Sequence, residues 1–133
     1  MTYHVAIDIG ASSGRVILAK TGKKLEITEI HRFKNGFTKS DGHDRWNVNH
    51  LIEEILLGLE KVKTYGVDTC TIGIDTWAVD YVLLDENDEL LDDPVAYRDA
   101  RTQGVMENAF EKISKSKIYQ KTGIQFLNFN TLY

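Results

Sequence analysis

The chain has 133 residues, 42% hydrophobic and 27% charged, with a net charge of −4. That is enough for one globular domain with its own core, and the lysines lie scattered among acids, which argues against a nucleic-acid binder. No apolar run approaches the ~20 residues of a membrane span and the N-terminus has no basic region followed by an apolar signal core, so no membrane partner is expected and the cytoplasm is the expected location.

Two apolar runs flank a turn of small residues near the start. Residues 3–9 and 14–20 read as paired strands, rich in Val, Ile and Leu. The first run ends in a carboxylate, Asp8. Between the runs, Gly10, Ala11, Ser12, Ser13 and Gly14 let a ligand approach the backbone closely. Successive N–H groups in such a turn, with added hydroxyls, form an anion-binding concavity. A carboxylate beside it can hold a hydrated Mg2+. The same residues also fit an ordinary hairpin whose glycines serve turn geometry. The Gly-Lys-Ser/Thr ending of a P-loop is absent.

Thr21-Gly22-Lys23 reads as a turn, and residues 24–33 as a third strand. Its apolar alternation, Leu25 and Ile27, changes face at Ile30, which predicts a bulge. Three strands with short turns predict an antiparallel meander. Residues 34–46 are polar, with Gly36 and Asp41-Gly42, and read as a loop with room for a short strand. Asn49 is the expected N-cap of a helix over 50–64. Leu51, Ile52, Ile55, Leu56, Leu59 and Val62 form its apolar stripe. Gly58 weakens that helix, and close packing on the sheet is the physical reason to keep it. Gly66 is the stop signal.

Residues 69–76 read as a buried strand, parallel to an earlier one because a helix intervenes. Cys70, in this run, is expected as a small core residue. Residues 79–85 read as further strand material before a polar turn at 86–89. Pro94 breaks the next segment. A helix is expected around 103–114, with Val105, Met106, Ala109, Phe110 and Ile113 on one face, and a shorter one around 115–121 ending near Gly123. The four histidines are dispersed, and each is expected as a surface or packing residue rather than a metal ligand. The order of elements predicts an α/β fold.

A second informative stretch is Ile72-Gly73-Ile74-Asp75-Thr76-Trp77-Ala78-Val79-Asp80. A strand that ends in polar residues and a tryptophan makes a plausible small-ligand edge, since ligands collect at strand ends in open α/β sheets. Trp77 offers an apolar face and an N–H donor; Asp75 and Asp80 can accept from sugar hydroxyls. The alternative keeps Trp77 in the core and both acids at solvent-facing strand ends.

Four motifs then stand in a telling order: Asp8-Ile-Gly-Ala-Ser-Ser-Gly-Arg15, Ile74-Asp-Thr-Trp77, Val95-Ala-Tyr-Arg-Asp-Ala-Arg101, and Gly123-Ile-Gln-Phe126 with Asn130-Thr-Leu-Tyr133. The first resembles the first phosphate-binding hairpin of the actin-like ATPase and sugar-kinase superfamily. Together they resemble the rhamnulokinase branch of the FGGY carbohydrate kinase family, over essentially the whole chain. The resemblance implies a ribonuclease H-like (actin-like ATPase superfamily) domain, a mixed sheet with helices packed on it, of which residues 1–133 are the N-terminal part of domain I, with the second domain absent. It implies ATP and Mg2+ as cofactors and L-rhamnulose as substrate, phosphorylated at its 1-hydroxyl. Ala11, Ser12, Ser13, Gly14 and Arg15 match the ATP-binding hairpin, and Asp8 the carboxylate near Mg2+. Ala78 falls where relatives can have a substrate-contacting glycine, with Thr76, Trp77 and Asp80 as neighbours. Tyr97-Arg98-Asp99 is expected near the cleft, Arg98 and Arg101 as surface or packing charges. The catalytic base, an aspartate, is expected downstream of these residues, so no catalytic residue is assigned here and the isolated chain is expected to be inactive. Phe126, Leu127, Phe129 and Leu132 are expected to be exposed and to drive self-association. Other FGGY kinases, for xylulose, ribulose or glycerol, and a non-catalytic actin-like binding module are the competing readings.

Overall fold

The computed structural model describes residues 1–133. In chain order it holds strands β1 (Thr2–Ile9), β2 (Ser13–Thr21), β3 (Leu25–Lys34), β4 (Phe37–Ser40) and β5 (His43–Trp46), helix α1 (Val48–Lys63), strand β6 (Thr71–Thr76), a 3-10 turn (Ala100–Thr102), and helices α2 (Val105–Lys112) and α3 (Lys115–Thr122). These fall into two compact units, Met1–Phe37 with Asn47–Ala78, and Thr38–Trp46 with Val79–Tyr133. No helix is long and apolar enough to cross a membrane.

The first unit is a four-stranded mixed sheet in the order β3-β2-β1-β6. β1 pairs antiparallel with β2 and parallel with β6, and β3 pairs antiparallel with β2. Val5, Ile7 and Ile9 alternate along β1 and meet Val16 and Leu18 of β2 on one face, closed by Val62 of α1. The predicted bulge is present: Val16 pairs with His31 but Ile17 with Glu29, leaving Ile30 as the extra residue.

α1 starts two residues earlier than expected, because Asn47, rather than Asn49, is the N-cap; its side chain accepts from the His50 N–H at 2.9 Å. The buried stripe is also narrower than the apolar pattern. Ile52 and Leu56 are exposed, while Leu51, Ile55 and Val62 face the core. Gly58 sets that orientation. A Cβ there would lie 2.4 Å from a Val16 methyl, so the bare backbone is what seats the helix on β2. Two side chains pin it further: Lys61 Nζ donates to His31 Nδ1 at 2.8 Å, so His31 Nε2 carries the proton and donates to Glu54 at 2.5 Å.

β6 is parallel to β1 as expected but is not buried. Ile72 and Ile74 are lateral partners of buried Val5 and Ile7, yet stand 53% and 62% exposed. α1 covers β2 and β3, and β6 is left as an uncovered edge.

In the second unit, residues 37–46 are a hairpin rather than a loop: β4 and β5 pair through Asp41-Gly42, both at positive φ, as a two-residue primed turn requires. Residues 79–85 form no strand, only a bridge between Leu84 and Leu90. Asp85 bends the backbone by accepting the N–H groups of Asn87 and Glu89. α2 begins at Val105, after the 3-10 turn, and Ile113 of its predicted apolar face is exposed. α3 ends at Gly123 as expected. Phe126 and Phe129 are not exposed side chains: Phe126 packs edge-on against Phe110 and Phe129 against Tyr97, Leu127 is half-buried, and Leu132 alone of the four is exposed. Aromatic partners upstream in the chain supply the cover that was missing from the linear pattern.

Gly58→Ala is expected to destabilise the chain by about 1–2 kcal/mol in urea unfolding, overpacking against Val16 outweighing the gain in helix propensity. Val16→Ala should recover part of that loss in the double variant; additive effects would contradict the contact.

Candidate functional site

The β1–β2 turn is built so that the carbonyls of Gly10, Ser12 and Ser13 are occupied. The Gly10 N–H donates to Ser13 O at 3.0 Å, the Asn35 N–H to Ser12 O at 3.1 Å, and the Asn35 carboxamide to Gly10 O at 2.8 Å. Asn35 follows β3, in a stretch the sequence marks only as polar, and nothing in its spacing announces this role. No partner within the chain takes the N–H groups of Ala11 and Ser12. Gly14 is needed for a different reason: a Cβ there would lie 2.1 Å from the Phe33 ring. The turn thus offers two backbone donors and two hydroxyls on a frame tied to β3.

Asp8 and Arg15 are lateral partners on β1 and β2 and form an ion pair, and Arg15 also donates to Ser13 Oγ at 3.2 Å. Both are partly exposed. Asp75 is the partner of Asp8 across the parallel β1–β6 pair, so both carboxylates sit on one sheet face at the end beside the turn. No group of three or more His, Cys, Asp or Glu gathers here or elsewhere. One or two carboxylates with waters and phosphate oxygens is nevertheless the donor set Mg2+ takes, so Asp8, with Asp75 beside it, fits a hydrated ion.

Thr76 ends β6, and Thr76 and Ala78 are exposed. Trp77 is partly buried and packs against the core of the first unit. Asp80 belongs to the second unit, where it accepts from Nε1 of buried Trp46 at 2.6 Å. It also lines a cavity of about 190 Å3 with Tyr97, Arg101, Phe129, Asn130 and Thr131. Arg101 was expected as a surface or packing charge. It is indeed exposed and packs on Tyr81, its guanidinium 5.9 Å from the ring centre with no ion pair, and it also borders this cavity. Thr131 Oγ1 donates to Val79 O at 2.6 Å, and the Asn130 amide to Gln125 O at 2.7 Å. The Tyr97, Asn130 and Thr131 motifs were visible in the sequence, but their convergence on Asp80 was not.

Behind this wall lies Asp99, the single buried charged residue. It accepts from the Asp44 and Arg101 N–H groups, both at 2.8 Å, and from His43 Nδ1 at 3.1 Å. Burial pushes its carboxyl up, but these donors and the charge of His43 outweigh it and hold it at about 2, below the ordinary 3.8.

The sheet, its helix cover and the small-residue turn beside Asp8 make an α/β domain with backbone donors at one end of its sheet. The model for the FGGY family of carbohydrate kinases, N-terminal domain, matches residues 3–133, and the chain belongs to that family. It is 54% identical over its whole length to a rhamnulokinase of Lactiplantibacillus plantarum, and 55% identical over 98% of its length to one of Bacillus subtilis. The chain spans 28% and 27% of those proteins. Among solved structures it resembles glycerol kinase from Plasmodium falciparum, crystallised with ADP, at TM-score 0.75 and 17% identity, covering 98% of this chain and 27% of that one. It resembles xylulose kinase from Lactobacillus acidophilus at TM-score 0.74 and 17% identity, covering 92% and 25%. These likenesses bear out the ribonuclease H-like fold.

Because the folded pKa of Asp99 lies below the unfolded one, its contribution to stability is complete above about pH 4 and is lost as pH falls toward 2. Acid unfolding followed by circular dichroism is expected to shift in that window, and Asp99→Asn to flatten the dependence there. An identical acid profile in the variant would contradict the assignment.

Proposed function

We propose that this chain is the N-terminal part of an ATP-dependent sugar kinase that converts L-rhamnulose to L-rhamnulose 1-phosphate. The high identity to two rhamnulokinases supports the sugar. The observation that carries the nucleotide half is the turn whose Ala11 and Ser12 N–H groups have no partner in the chain while Asn35 ties down the Gly10 and Ser12 carbonyls. Ala11, Ser12, Ser13, Gly14 and Arg15 hold the ATP phosphates through backbone and hydroxyl donors. Asp8, with Asp75 beside it, holds the Mg2+ that neutralises phosphate charge. Thr76, Trp77 and Ala78 stand as sugar-contacting positions on the family likeness alone, Ala78 through its backbone. Asp80 accepts a sugar hydroxyl, in the cavity where Tyr97 and Phe129 offer ring faces to C–H groups and Asn130 and Arg101 supply polar partners.

In this reading the sugar 1-oxygen attacks the terminal phosphorus, the bond to the ADP oxygen breaks, and the hydroxyl proton passes to an aspartate outside these residues. The isolated chain therefore grips ligands without turnover. It works in the cytoplasm, and alone it self-associates through exposed apolar groups such as Ile72 and Ile74 of the β6 edge.

The test is a chimera joining residues 1–133 to the remainder of the Bacillus subtilis rhamnulokinase. It is expected to phosphorylate L-rhamnulose with kcat/KM at least about tenfold above that for D-xylulose, D-ribulose or glycerol, while the chain alone shows no phosphorylation. Preference for another sugar, or turnover by the chain alone, would contradict the proposal.

A further inference from the structure

We propose that Asp99 is a positioning residue that sets the wall of the second-unit cavity, holding Tyr97 and Arg101 in place, with His43 as the side chain that props it from β5. The functional half of this inference rests on the reading of that cavity as the sugar pocket. The positioning half stands on geometry alone.

Residues 94–101 carry the wall and have no regular structure of their own before the 3-10 turn. They are laid along β5 by two backbone bonds, Trp46 N–H to Pro94 O at 3.0 Å and Ala96 N–H to Asp44 O at 2.7 Å, and turn back on themselves through Asp99 N–H to Ala96 O at 2.9 Å. Asp99 closes this arrangement from both sides. One carboxylate oxygen takes the Arg101 N–H and the His43 Nδ1–H, and the other takes the Asp44 N–H. A serine or asparagine would suffice to cap the turn at Arg101. Three donors arriving from β5 and from the turn need the acceptor capacity of a carboxylate. A charge buried at this depth is tolerated because each bond is charge-assisted.

What the carboxylate fixes is the geometry on the cavity side. Tyr97, two residues before it, packs between Trp46 at 6.4 Å and Phe129 at 5.6 Å between ring centres. Arg101, two residues after it, lines the cavity with its guanidinium 5.9 Å from the Tyr81 ring centre, and its own N–H is held by Asp99. Asp99 itself does not line the cavity. The charged groups around it are His43 and Asp44 on β5, Lys39 on β4 paired with Asp44, and Arg98 stacked on Tyr97. None of these except His43 bonds its carboxylate side chain to side chain. Without Asp99, the Asp44 and Arg101 N–H groups lose their partners and the wall is free to move.

The experiment uses the whole chain, with hydrogen exchange and ring resonances read by NMR and L-rhamnulose as the added probe. Asp99→Ala is expected to lower protection of the Arg101 amide at least about tenfold and to shift the Tyr97 ring signals, while the Ile118 amide of α3 stays within about twofold. L-Rhamnulose affinity is expected to fall about tenfold. Asp99→Ser, which restores the cap on Arg101 alone, should recover Arg101 protection but not the Tyr97 signals or the affinity. Should the alanine variant not fold, the serine variant decides on the same readouts. Wild-type protection, ring signals and affinity in either variant would overturn the proposal, as would full rescue by serine. If the wild-type chain shows no response to L-rhamnulose, the sugar reading of the cavity fails while the Arg101 and Tyr97 signatures still decide the positioning role.

Discussion

A helix can lie directly on the β1–β2 hairpin because position 58 carries no Cβ. Val16 is fully buried under that contact, and its packing is worth about 2 kcal/mol as removed apolar area. The rest of the first unit follows from the close seat. Val62 and Leu59 complete the core, His31 is clamped between Glu54 and Lys61, and β3 is held at a fixed height beside β2. Asn35, immediately after β3, then reaches the β1–β2 turn at a defined distance. A contact in the middle of the sheet in this way decides the shape of a turn at its end.

The turn gains its chemistry by elimination. The carbonyls of Gly10, Ser12 and Ser13 are consumed by Asn35 and by the hairpin itself, while the N–H groups of Ala11 and Ser12 keep no partner in the chain. Asp8 would be a repulsive neighbour for a phosphate if it stood alone. Arg15 offsets that charge across the strand pair while leaving the carboxylate part-exposed for a hydrated cation. Strand register accounts for this pairing, since Asp8 is the lateral partner of both Arg15 and Asp75.

Strand periodicity made the hairpin, the bulge at Ile30 and the close approach at Gly58 legible, because each leaves a local mark: alternation, a change of face, a glycine inside a helical stripe. The β4–β5 hairpin was also written locally, in Asp41-Gly42, but its flanking residues are too polar to read as strands. Exposure of β6 was not legible. Ile72 and Ile74 have the composition of a buried strand, and only the lateral position of α1 shows that they stand uncovered. The second cavity was half legible. Tyr97, Asp99, Arg101, Asn130 and Thr131 all sit in recognisable motifs, but Asp99 and Arg101 take their roles from long-range bonds to β5 and from the stacking of Tyr97, which no spacing encodes.

The central claim is that the Gly10–Arg15 turn is a preformed phosphate grip. It is tested most directly by titrating the chain with Mg-ATP to about 10 mM, a range that spans millimolar affinity, while residue-resolved amide signals are followed by NMR. The account predicts saturable shifts centred on Ala11 and Ser12, abolished when Asn35→Ala frees the turn. A well-folded chain whose Ala11–Gly14 signals do not move, or move equally with and without Asn35, would contradict it.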